Sequence, residues 1–330
     1  MREFNAMTTL DNIDGNREVT SEFFHLPDLR FPIQVIDNCE IEGQQTDKSA
    51  IMKGFEGEEQ EFLCINSKRY GIIPNKQVLD TVEGILQKNN DLNSNNIKVN
   101  YHLKKQGTVM ISEYFLEKHS FKLQREFYQN GNHKEDWYIP RIRVINSYDG
   151  SNSLNLTIDT MRILCMNGQV SIHKPIDNIQ AIHNENIETV FNKEIVTDII
   201  ERGLHTIINA KVIFNEMNEL DIDFTKDDFL EKAQPIFDKK ITGQEHEFQT
   251  NRTDKIWAYI QNERNGHDNR MPSMMDIYNG ITEYITHGIK DKEGKTRKSN
   301  TVFSQDRRLQ KARQFFNRIP EFNNLEVLYN

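Results

Sequence analysis

Short stretches in which apolar and polar residues alternate occupy the front half of the chain. This alternation is typical of strands that bury one face of a sheet. Two turn signals, Asn130-Gly131 and Asp149-Gly150, stand between neighbouring stretches and favour hairpins. The predicted strands are 31–39, 62–65, 97–103, 108–115, 121–128, 137–146, 154–158 and 161–165. Together these patterns predict an antiparallel β-meander.

One helix is predicted within this β-rich half. Apolar residues recur at three- and four-residue steps between residues 75 and 88, which predicts an amphipathic helix with Asn75 as its N-cap. Asp80 and Glu83 are assigned to its polar face, where the sequence offers no basic or nucleophilic partner.

The apolar period changes to the helical one after about residue 177. Thr225 and Asp228 resemble a capping box at the start of one of the predicted helices. The predicted helices are 187–208, 225–237, 255–263, 273–286 and 305–318. We therefore predict an α+β fold with an antiparallel β-meander in the front half, packed with a mostly helical C-terminal half.

This pattern predicts three regions along the chain. Residues 1–30 are expected to form an N-terminal arm, residues 31–176 a β-rich region, and residues 177–330 a helical region with a basic segment at 290–318. A length of 330 residues suffices for one large domain or two ordinary ones.

Composition limits the compartment and the covalent chemistry. Hydrophobic residues make up 36% and charged residues 28%, with no apolar run near the roughly 20 residues that span a bilayer. The N-terminus lacks the features of a signal peptide, so we expect a protein of the cytoplasm (of the host cell, if a phage encodes it) with no membrane partner. Cys39, Cys64 and Cys165 are far apart, which favours reduced, buried thiols over a disulfide or a zinc site.

Charge is distributed unevenly along the chain. Residues 1–66 carry a net charge of −9, whereas residues 290–318 carry +7. A basic block at one end of an acidic chain is typical of a polyanion contact, or of a solvated surface that pairs with the acidic front end. The candidate nucleic-acid contacts in this block are Lys295, Arg297, Lys298, Arg307, Arg308 and Lys311.

A second candidate surface lies in residues 137–170. Arg141, Arg143 and Arg162 are flanked there by aromatic residues, namely Trp137, Tyr138 and Tyr148. One interpretation is a tight hairpin whose Asn and Gly residues supply turn conformations. The other is an aromatic and basic surface that binds single-stranded nucleic acid by stacking and phosphate pairing.

The sequence shows no recognised catalytic motif. It has no phosphate-binding GxxxxGK[ST] loop, no GxGxxG, no GxSxG and no HExxH. Glu283 and His287 have a permitted metal-ligand spacing, but a lone pair of this kind is more often a surface hydrogen-bonded couple. We therefore assign no catalytic residue, metal or cofactor, and we favour a role outside enzyme catalysis over an enzyme with an unfamiliar site.

Three segments resemble the phage- and plasmid-related family called domain of unknown function 932. The central one combines N-S-Y-D-G-S at residues 146–151 with R-I-L-C-M-N at residues 162–167. Weaker matches are Y-G-I-I-P-N at 70–75 and N-G-I-T-E-Y at 279–284, in which Gly280 replaces the usual Ala. The matched residues include Asn146, Asp149, Gly150, Arg162, Cys165, Asn167, Asn279, Glu283 and His287. The resemblance implies a mobile-element protein and brings no established activity.

These observations lead to two functional hypotheses. The first is a non-catalytic DNA-metabolism factor of a phage or plasmid that binds or anneals single-stranded DNA in recombination or replication, as a homo-oligomer. The alternative is a protein-binding module without nucleic-acid binding, such as an anti-defence or host-takeover factor or a minor virion component. Host or phage proteins would then be its partners.

Overall fold

The computed structural model describes most of the chain between residues 19 and 320. The described residues are 19–20, 29–54, 57, 59–89, 97–123, 127–129, 132–162, 167–169, 178–240, 248–249, 252–263, 271–287, 311–312 and 314–320.

The described chain contains seventeen strands and six α-helices, named here in chain order. The strands are β1 (Val19–Thr20), β2 (Ile33–Asp37), β3 (Glu40–Ile41), β4 (Gln44–Gln45), β5 (Lys48–Lys53), β6 (Glu61–Ser67), β7 (Ile97–Lys104), β8 (Val109–Leu116), β9 (Phe121–Lys122), β10 (Phe127–Gln129), β11 (Asn132–Lys134), β12 (Trp137–Ser147), β13 (Leu154–Arg162), β14 (Asn167–Gln169), β15 (Asn178–Ala181), β16 (Lys239–Lys240) and β17 (Phe248–Gln249). The helices are α1 (Asn75–Lys88), α2 (Ile187–Val190), α3 (Lys193–Glu219), α4 (Lys226–Phe237), α5 (Thr253–Glu263) and α6 (Met274–His287). Residues 311–312 and 314–316 are also helical.

The chain folds into two compact units that interleave along the sequence. Unit 1 comprises Met1–His119, Pro140–Ile158 and Ile176–Leu204, and unit 2 comprises the remaining three segments. The long strands β12 and β13 and the helix α3 each contribute residues to both units.

Unit 1 is built on an antiparallel sheet with α1 against it. The strand order is β1-β7-β8-β12-β13, and β15 pairs with β13. The β12–β13 connection turns at Asp149-Gly150, so the predicted meander is confirmed. The strand β15 was missed because it falls where the helical pattern was expected to begin.

A smaller three-stranded sheet in unit 1 has the order β2-β5-β6. Its central strand β5 was not predicted. Ser49, Ala50 and Ile51 are buried in succession, so this strand lacks the polar and apolar alternation on which the prediction relied.

The predicted helix 187–208 is interrupted near its start. The Asn192 side chain accepts a hydrogen bond from the backbone N–H of Ile195 at 2.9 Å and so caps a new helix, α3. Further along, the missing side chain of Gly203 leaves room for Ile158, because an added Cβ would lie 2.1 Å from its Cδ1.

Unit 2 encloses a helical core rich in aromatic residues. Phe229 packs against Trp257 and Phe315, with ring centroids 5.3 and 5.4 Å apart. The predicted capping box of Thr225 and Asp228 is confirmed at the start of α4. The α+β class is likewise confirmed, with antiparallel strands in the front half and helices in the back half.

A tight turn between β7 and β8 holds two non-glycine residues in the left-handed region. Lys105 and Gln106 have φ angles of 50° and 56°. A side chain in this region costs roughly 1–2 kcal/mol per residue. We therefore expect Gln106→Gly to raise the free energy of unfolding of unit 1 by about 0.5–1 kcal/mol, after the entropy that glycine adds to the unfolded chain.

Unfolding in urea is monitored through the hydrogen exchange of unit 1 amides. Tryptophan fluorescence would report on unit 2 instead, because both tryptophans lie in that unit. The matched control is Gln77→Gly in the helix α1, which should lose about 1 kcal/mol. A loss of stability in both variants would contradict the strain at Gln106.

Candidate functional site

Two of the matched segments, residues 70–75 and 146–151, hold each other through hydrogen bonds; we call this contact the motif junction. The side-chain amide of Asn146 donates to the carbonyl of Ile73 at 2.9 Å and to Oδ1 of Asn75 at 2.8 Å. In return, the backbone N–H of Asn75 donates to the hydroxyl of Tyr148 at 2.7 Å. The junction therefore joins the end of β12 to the first turn of α1.

The junction changes how α1 begins. The N-cap is Pro74, and no side chain caps the helix, so the predicted capping role of Asn75 is wrong. The amide N–H groups of a first helical turn have no partner within the helix. The Tyr148 hydroxyl supplies one from 73 residues away in sequence, which no local pattern could reveal.

The Asp149-Gly150 turn is fixed by its own contacts. One carboxylate oxygen of Asp149 accepts from the backbone N–H of Ser151 at 2.9 Å, and the other accepts from Lys105 Nζ, also at 2.9 Å. Burial opposes ionisation, but these hydrogen bonds outweigh it and lower the pKa of the Asp149 carboxyl. Gly150 has a φ of 69°, which glycine adopts without strain.

The small sheet also contacts the junction. The thiol of Cys64 donates to the carbonyl of Tyr148 at 3.2 Å, and the Asn66 amide donates to the same oxygen. Burial, together with the nearby Asp149 carboxylate, raises the pKa of Cys64 to about 11, so the group is a thiol at neutral pH. Cys165, the third predicted buried thiol, lies outside the described residues.

A buried histidine supports the other side of the junction. The ring of His183 stacks on Tyr70 with centroids 4.8 Å apart, and its Nδ1 lies 3.0 Å from the carbonyl of Gly71. An added Cβ on Gly71 would lie 1.9 Å from the carbonyl oxygen of Asn184, so this position requires glycine. In turn, the Tyr70 hydroxyl donates to the carbonyl of Ser147 at 2.8 Å.

The other end of the buried face of α1 carries a charge. Glu83 is fully buried and forms an ion pair with Arg30. It also accepts hydrogen bonds from the hydroxyls of Tyr101 and, at 3.0 Å, Tyr114. Burial and the Glu83 carboxylate raise the pKa of both tyrosines, which keeps them as donors. Assigning Glu83 to the polar face was wrong, because its partners come from elements distant in sequence.

The outward side of α1 forms the wall of a groove in unit 1. The groove has a volume of about 580 Å³ and is lined by Pro74, Lys76, Gln77, Asp80, Thr81, Gly84, Lys88 and Lys193. Three of these residues are exposed lysines, and one is a carboxylate that pairs with Lys76. We call this feature the lysine groove.

Gly84 stands in the middle of α1 and lines the lysine groove. Glycine inside a helix costs roughly 1 kcal/mol relative to alanine. A Cβ added there would have no neighbour within 4 Å, so packing inside the protein does not require glycine at this position. The absence of a side chain leaves the helix backbone accessible from the groove at this position.

The central residues of the predicted aromatic and basic surface do not lie at the surface of the protein. Tyr138, Arg141 and Tyr148 are buried, so this part of the prediction is wrong. Arg141 donates to Glu113 at 2.6 Å, and Arg143 lies 3.8 Å from the same carboxylate. Strand alternation places both arginines on the face of the sheet that carries Glu113, so the carboxylate offsets their charge.

Among the remaining predicted nucleic-acid contacts, the side chain of Lys311 is described. Lys311 is half-buried and donates to the carbonyl of Ile236 at 2.7 Å, which satisfies a carbonyl in the last turn of α4. The charge of the basic block predicted it instead as a nucleic-acid contact. The described part of the chain does not include the predicted contacts Lys295, Arg297, Lys298, Arg307 and Arg308, or the side chain of Arg162.

The third matched segment lies in the core of unit 2. Asn279 is buried with its amide 3.5 Å from the Tyr138 hydroxyl, and Glu283 is half-buried. A Cβ on Gly280 would lie 2.5–2.8 Å from atoms of Ile260, so glycine lets α5 and α6 approach closely. Asn167 and His287 lie in a strand and a helix, but their side chains are not among those described.

In the described part of the chain, no three His, Cys, Asp or Glu side chains lie together in a way that would hold a metal ion. None of the described helices is both long enough and apolar enough to cross a membrane.

The lysine groove was not predicted from sequence. On α1, Gln77, Thr81, Gly84 and Lys88 recur at intervals of three and four residues and form a stripe without large apolar side chains. This stripe is the local signal of the groove. Lys193 comes from α3, more than a hundred residues later, and only the fold brings it to this groove.

Comparison with known proteins gives one match. A family model described as Domain of unknown function (DUF932) matches residues 63–314, a range that contains the motif junction and the lysine groove. Neither the curated proteins nor the solved structures include a match to the chain.

His183 should make the stability of unit 1 depend on pH. Burial lowers the pKa of its imidazole below the usual value of about 6.5, so the unfolded chain binds the proton more readily than the folded one. The free energy of unfolding should therefore fall as the pH is lowered through about 6.5. His183→Phe keeps a ring against Tyr70 and should reduce this dependence between about pH 8 and 5.

The matched control is His205→Gln, which removes an exposed histidine and should leave the pH dependence of unit 1 unchanged. Hydrogen exchange of unit 1 amides at each pH provides the measurement. An unchanged slope in the His183→Phe variant would exclude this histidine as the source.

Proposed function

The chain belongs to the family described as Domain of unknown function (DUF932), and we propose that it is a non-catalytic DNA-metabolism factor that binds single-stranded DNA. The observation that carries the proposal is the lysine groove, whose lining includes a glycine that packing within the protein does not require. A phage or plasmid origin, and a role in recombination or replication, belong to the same proposal.

The charges of the groove favour an anionic ligand. Lys76, Lys88 and Lys193 contribute three ammonium groups, against the single carboxylate of Asp80. That carboxylate is already engaged by Lys76 and by Arg30, at 3.2 Å from the guanidinium. Lysine binds phosphate as a flexible point charge, without the fixed geometry that arginine imposes. The groove therefore suits a phosphate backbone recognised without regard to sequence.

The dimensions of the groove suit several phosphates in a row. Lys76 and Lys88 lie twelve residues apart, which corresponds to about 18 Å along the axis of α1. Between them, Thr81 turns its hydroxyl inward to the carbonyl of Gln77 at 2.7 Å, and Gly84 has no side chain. A single strand of DNA that lies along α1 can thus approach the backbone of the helix between Lys76 and Lys88.

The lining residues favour binding over catalysis. Among the described residues that line the groove, the titratable groups are three lysines and Asp80, and Asp80 is held in ion pairs. General acid–base chemistry needs a group that is free to exchange a proton with the substrate. The carboxylate of Asp80 is instead held by Lys76 and Arg30.

The motif junction supports the proposal indirectly. It holds the first turn of α1, where Pro74 and Lys76 form one end of the groove. The cations of residues 290–308, which lie outside the described residues, remain a proposed second contact with the same strand.

The test is a salt titration of binding to a labelled single-stranded oligonucleotide of about 20 nucleotides. Three lysine–phosphate contacts should contribute about −2 to the slope of log K against log salt, from about −0.7 per contact. The variant Lys76→Gln, Lys88→Gln, Lys193→Gln should therefore flatten the slope by about 2. The matched control replaces the exposed lysines Lys48, Lys211 and Lys255 with Gln and should flatten it much less.

A second variant separates binding from folding. Gly84→Leu should stabilise α1 by up to roughly 0.8 kcal/mol through its helix propensity, and it adds a large side chain to the lining of the groove. It should weaken binding while the free energy of unfolding stays the same or rises. If the wild type does not bind at low salt, or if groove and control variants bind alike, the proposal fails, and a protein-binding module is then preferred.

A further inference from the structure

Two cationic side chains meet at the C-terminal end of α4 in unit 2. The ammonium group of Lys311 donates to the carbonyl of Ile236 at 2.7 Å, and the guanidinium of Arg252 donates to the carbonyl of Phe237 at 3.0 Å. These carbonyls belong to consecutive residues, whose oxygens lie roughly 3.5 Å apart in helical geometry. The two cations are therefore neighbours, although they come from distant parts of the sequence. We call them the cation pair.

The cation pair has no ion-pair partner in the part of the chain that the structure describes. The carboxylate of Asp238 lies nearby, but it accepts from the backbone N–H of Arg252 at 3.0 Å and from the hydroxyl of Thr253. Burial, and after it the Arg252 guanidinium, lower the pKa of Lys311, and Asp238 offsets only part of this effect. The two positive charges thus repel each other at this end of the helix.

Stabilisation of the helix end does not by itself account for so much positive charge. The C-terminal end of a helix carries roughly half a negative charge, which a single cation offsets. A third cation, Arg318, donates to the carbonyl of Lys232 at 3.3 Å, one turn earlier on α4. Among the described residues, the end of α4 therefore holds more positive charge than its carbonyls and Asp238 neutralise.

The carbonyl contacts orient the cation pair and leave other donors available. An ammonium group has three N–H donors and a guanidinium has five. Lys311 and Arg252 are both half-buried, so their remaining donors can reach a ligand from the solvent. A phosphate group presents three strong acceptor oxygens on one phosphorus atom, so it can accept from both cations at once. Hydrogen bonds of this charge-assisted kind are roughly twice as strong as neutral ones.

We propose that the cation pair is a phosphate-binding site of unit 2. It is distinct from the lysine groove, which belongs to unit 1, and it goes beyond the proposed function because a phosphate ion alone is enough to fill it. The phosphates of a nucleic acid are a second source of the same group. Arg318 extends the pair by one helical turn, about 5.4 Å, and the basic block of residues 290–308 leads into Lys311.

The test is an NMR titration of the ¹⁵N-labelled full chain with inorganic phosphate at constant low ionic strength, followed through the side-chain Nε–H signal of Arg252. In the wild type this signal should shift to saturation, with a dissociation constant of about 1–10 mM. Lys311→Met removes the charge but keeps an unbranched side chain, and it should weaken phosphate binding about tenfold. Lys311→Arg keeps the charge and should retain most of the binding.

The matched control is Lys226→Gln. It removes one exposed lysine from the first turn of the same helix, about 15 Å from Ile236 along the axis, and should bind phosphate like the wild type. Urea unfolding of each variant checks that the fold is retained, and the wild-type titration decides the proposal even where a variant does not fold.

A second titration distinguishes the two sources of phosphate. It uses a four-nucleotide oligothymidylate without terminal phosphates, added to the wild type and to the variant that lacks the three groove lysines. A shift of the Arg252 signal in both proteins assigns the site to nucleic-acid phosphates, and Arg318→Gln should then weaken oligonucleotide binding more than phosphate binding. A response to inorganic phosphate alone assigns it to the free ion. Because this signal reports on unit 2, the result does not depend on whether the lysine groove binds DNA.

Three results would overturn the proposal. The first is a wild type whose Arg252 signal shows no saturable shift with either probe. The second is an equal loss of phosphate binding in Lys311→Met and Lys226→Gln, which would show general screening of charge. The third is an equal loss in Lys311→Met and Lys311→Arg, which would restrict Lys311 to its contact with the Ile236 carbonyl.

Discussion

The buried amide of Asn146 is the contact on which the arrangement of unit 1 depends. Its two N–H groups donate to the carbonyl of Ile73 and to the side chain of Asn75, and the residue is fully buried. A buried polar group that loses its partner costs roughly 1–3 kcal/mol. Any displacement of the first turn of α1 from the end of β12 would incur that cost, so the junction fixes where the helix begins.

A second polar contact fixes the same helix further along its buried face. Asn75 meets Asn146, and Glu83 meets Tyr101 and Tyr114, which project from the same side of the sheet by strand alternation. Apolar packing alone would allow α1 to slide or turn on this surface, whereas two buried polar contacts about 12 Å apart along the helix do not. The apolar residues between them, including Val78 and Val82, then pack in one register. The outward stripe of α1, and with it the lysine groove, is oriented as a consequence.

Local patterns in the sequence predicted what local interactions determine. The bounds of α1, most strands of the meander and the capping box at Thr225 were all correct, because each follows from side-chain period or from neighbours a few residues apart. The family resemblance was also correct, because it rests on short runs of fixed order. The errors concern partners distant in sequence: Glu83 pairs with Arg30, Arg141 with Glu113, and Lys311 with a carbonyl of α4. Charge alone indicated a surface position for each of them, and only the fold supplies the group that makes burial tolerable.

The most direct test of this account is a double-mutant cycle between Asn75→Ala and Asn146→Ala, measured as the free energy of unfolding of unit 1 by native-state hydrogen exchange. If the junction is one cooperative contact, the two losses will not add, and the coupling energy should lie between about 1 and 3 kcal/mol. Additive losses, with a coupling energy below about 0.3 kcal/mol, would show that the two amides act independently and would contradict the central role given to Asn146.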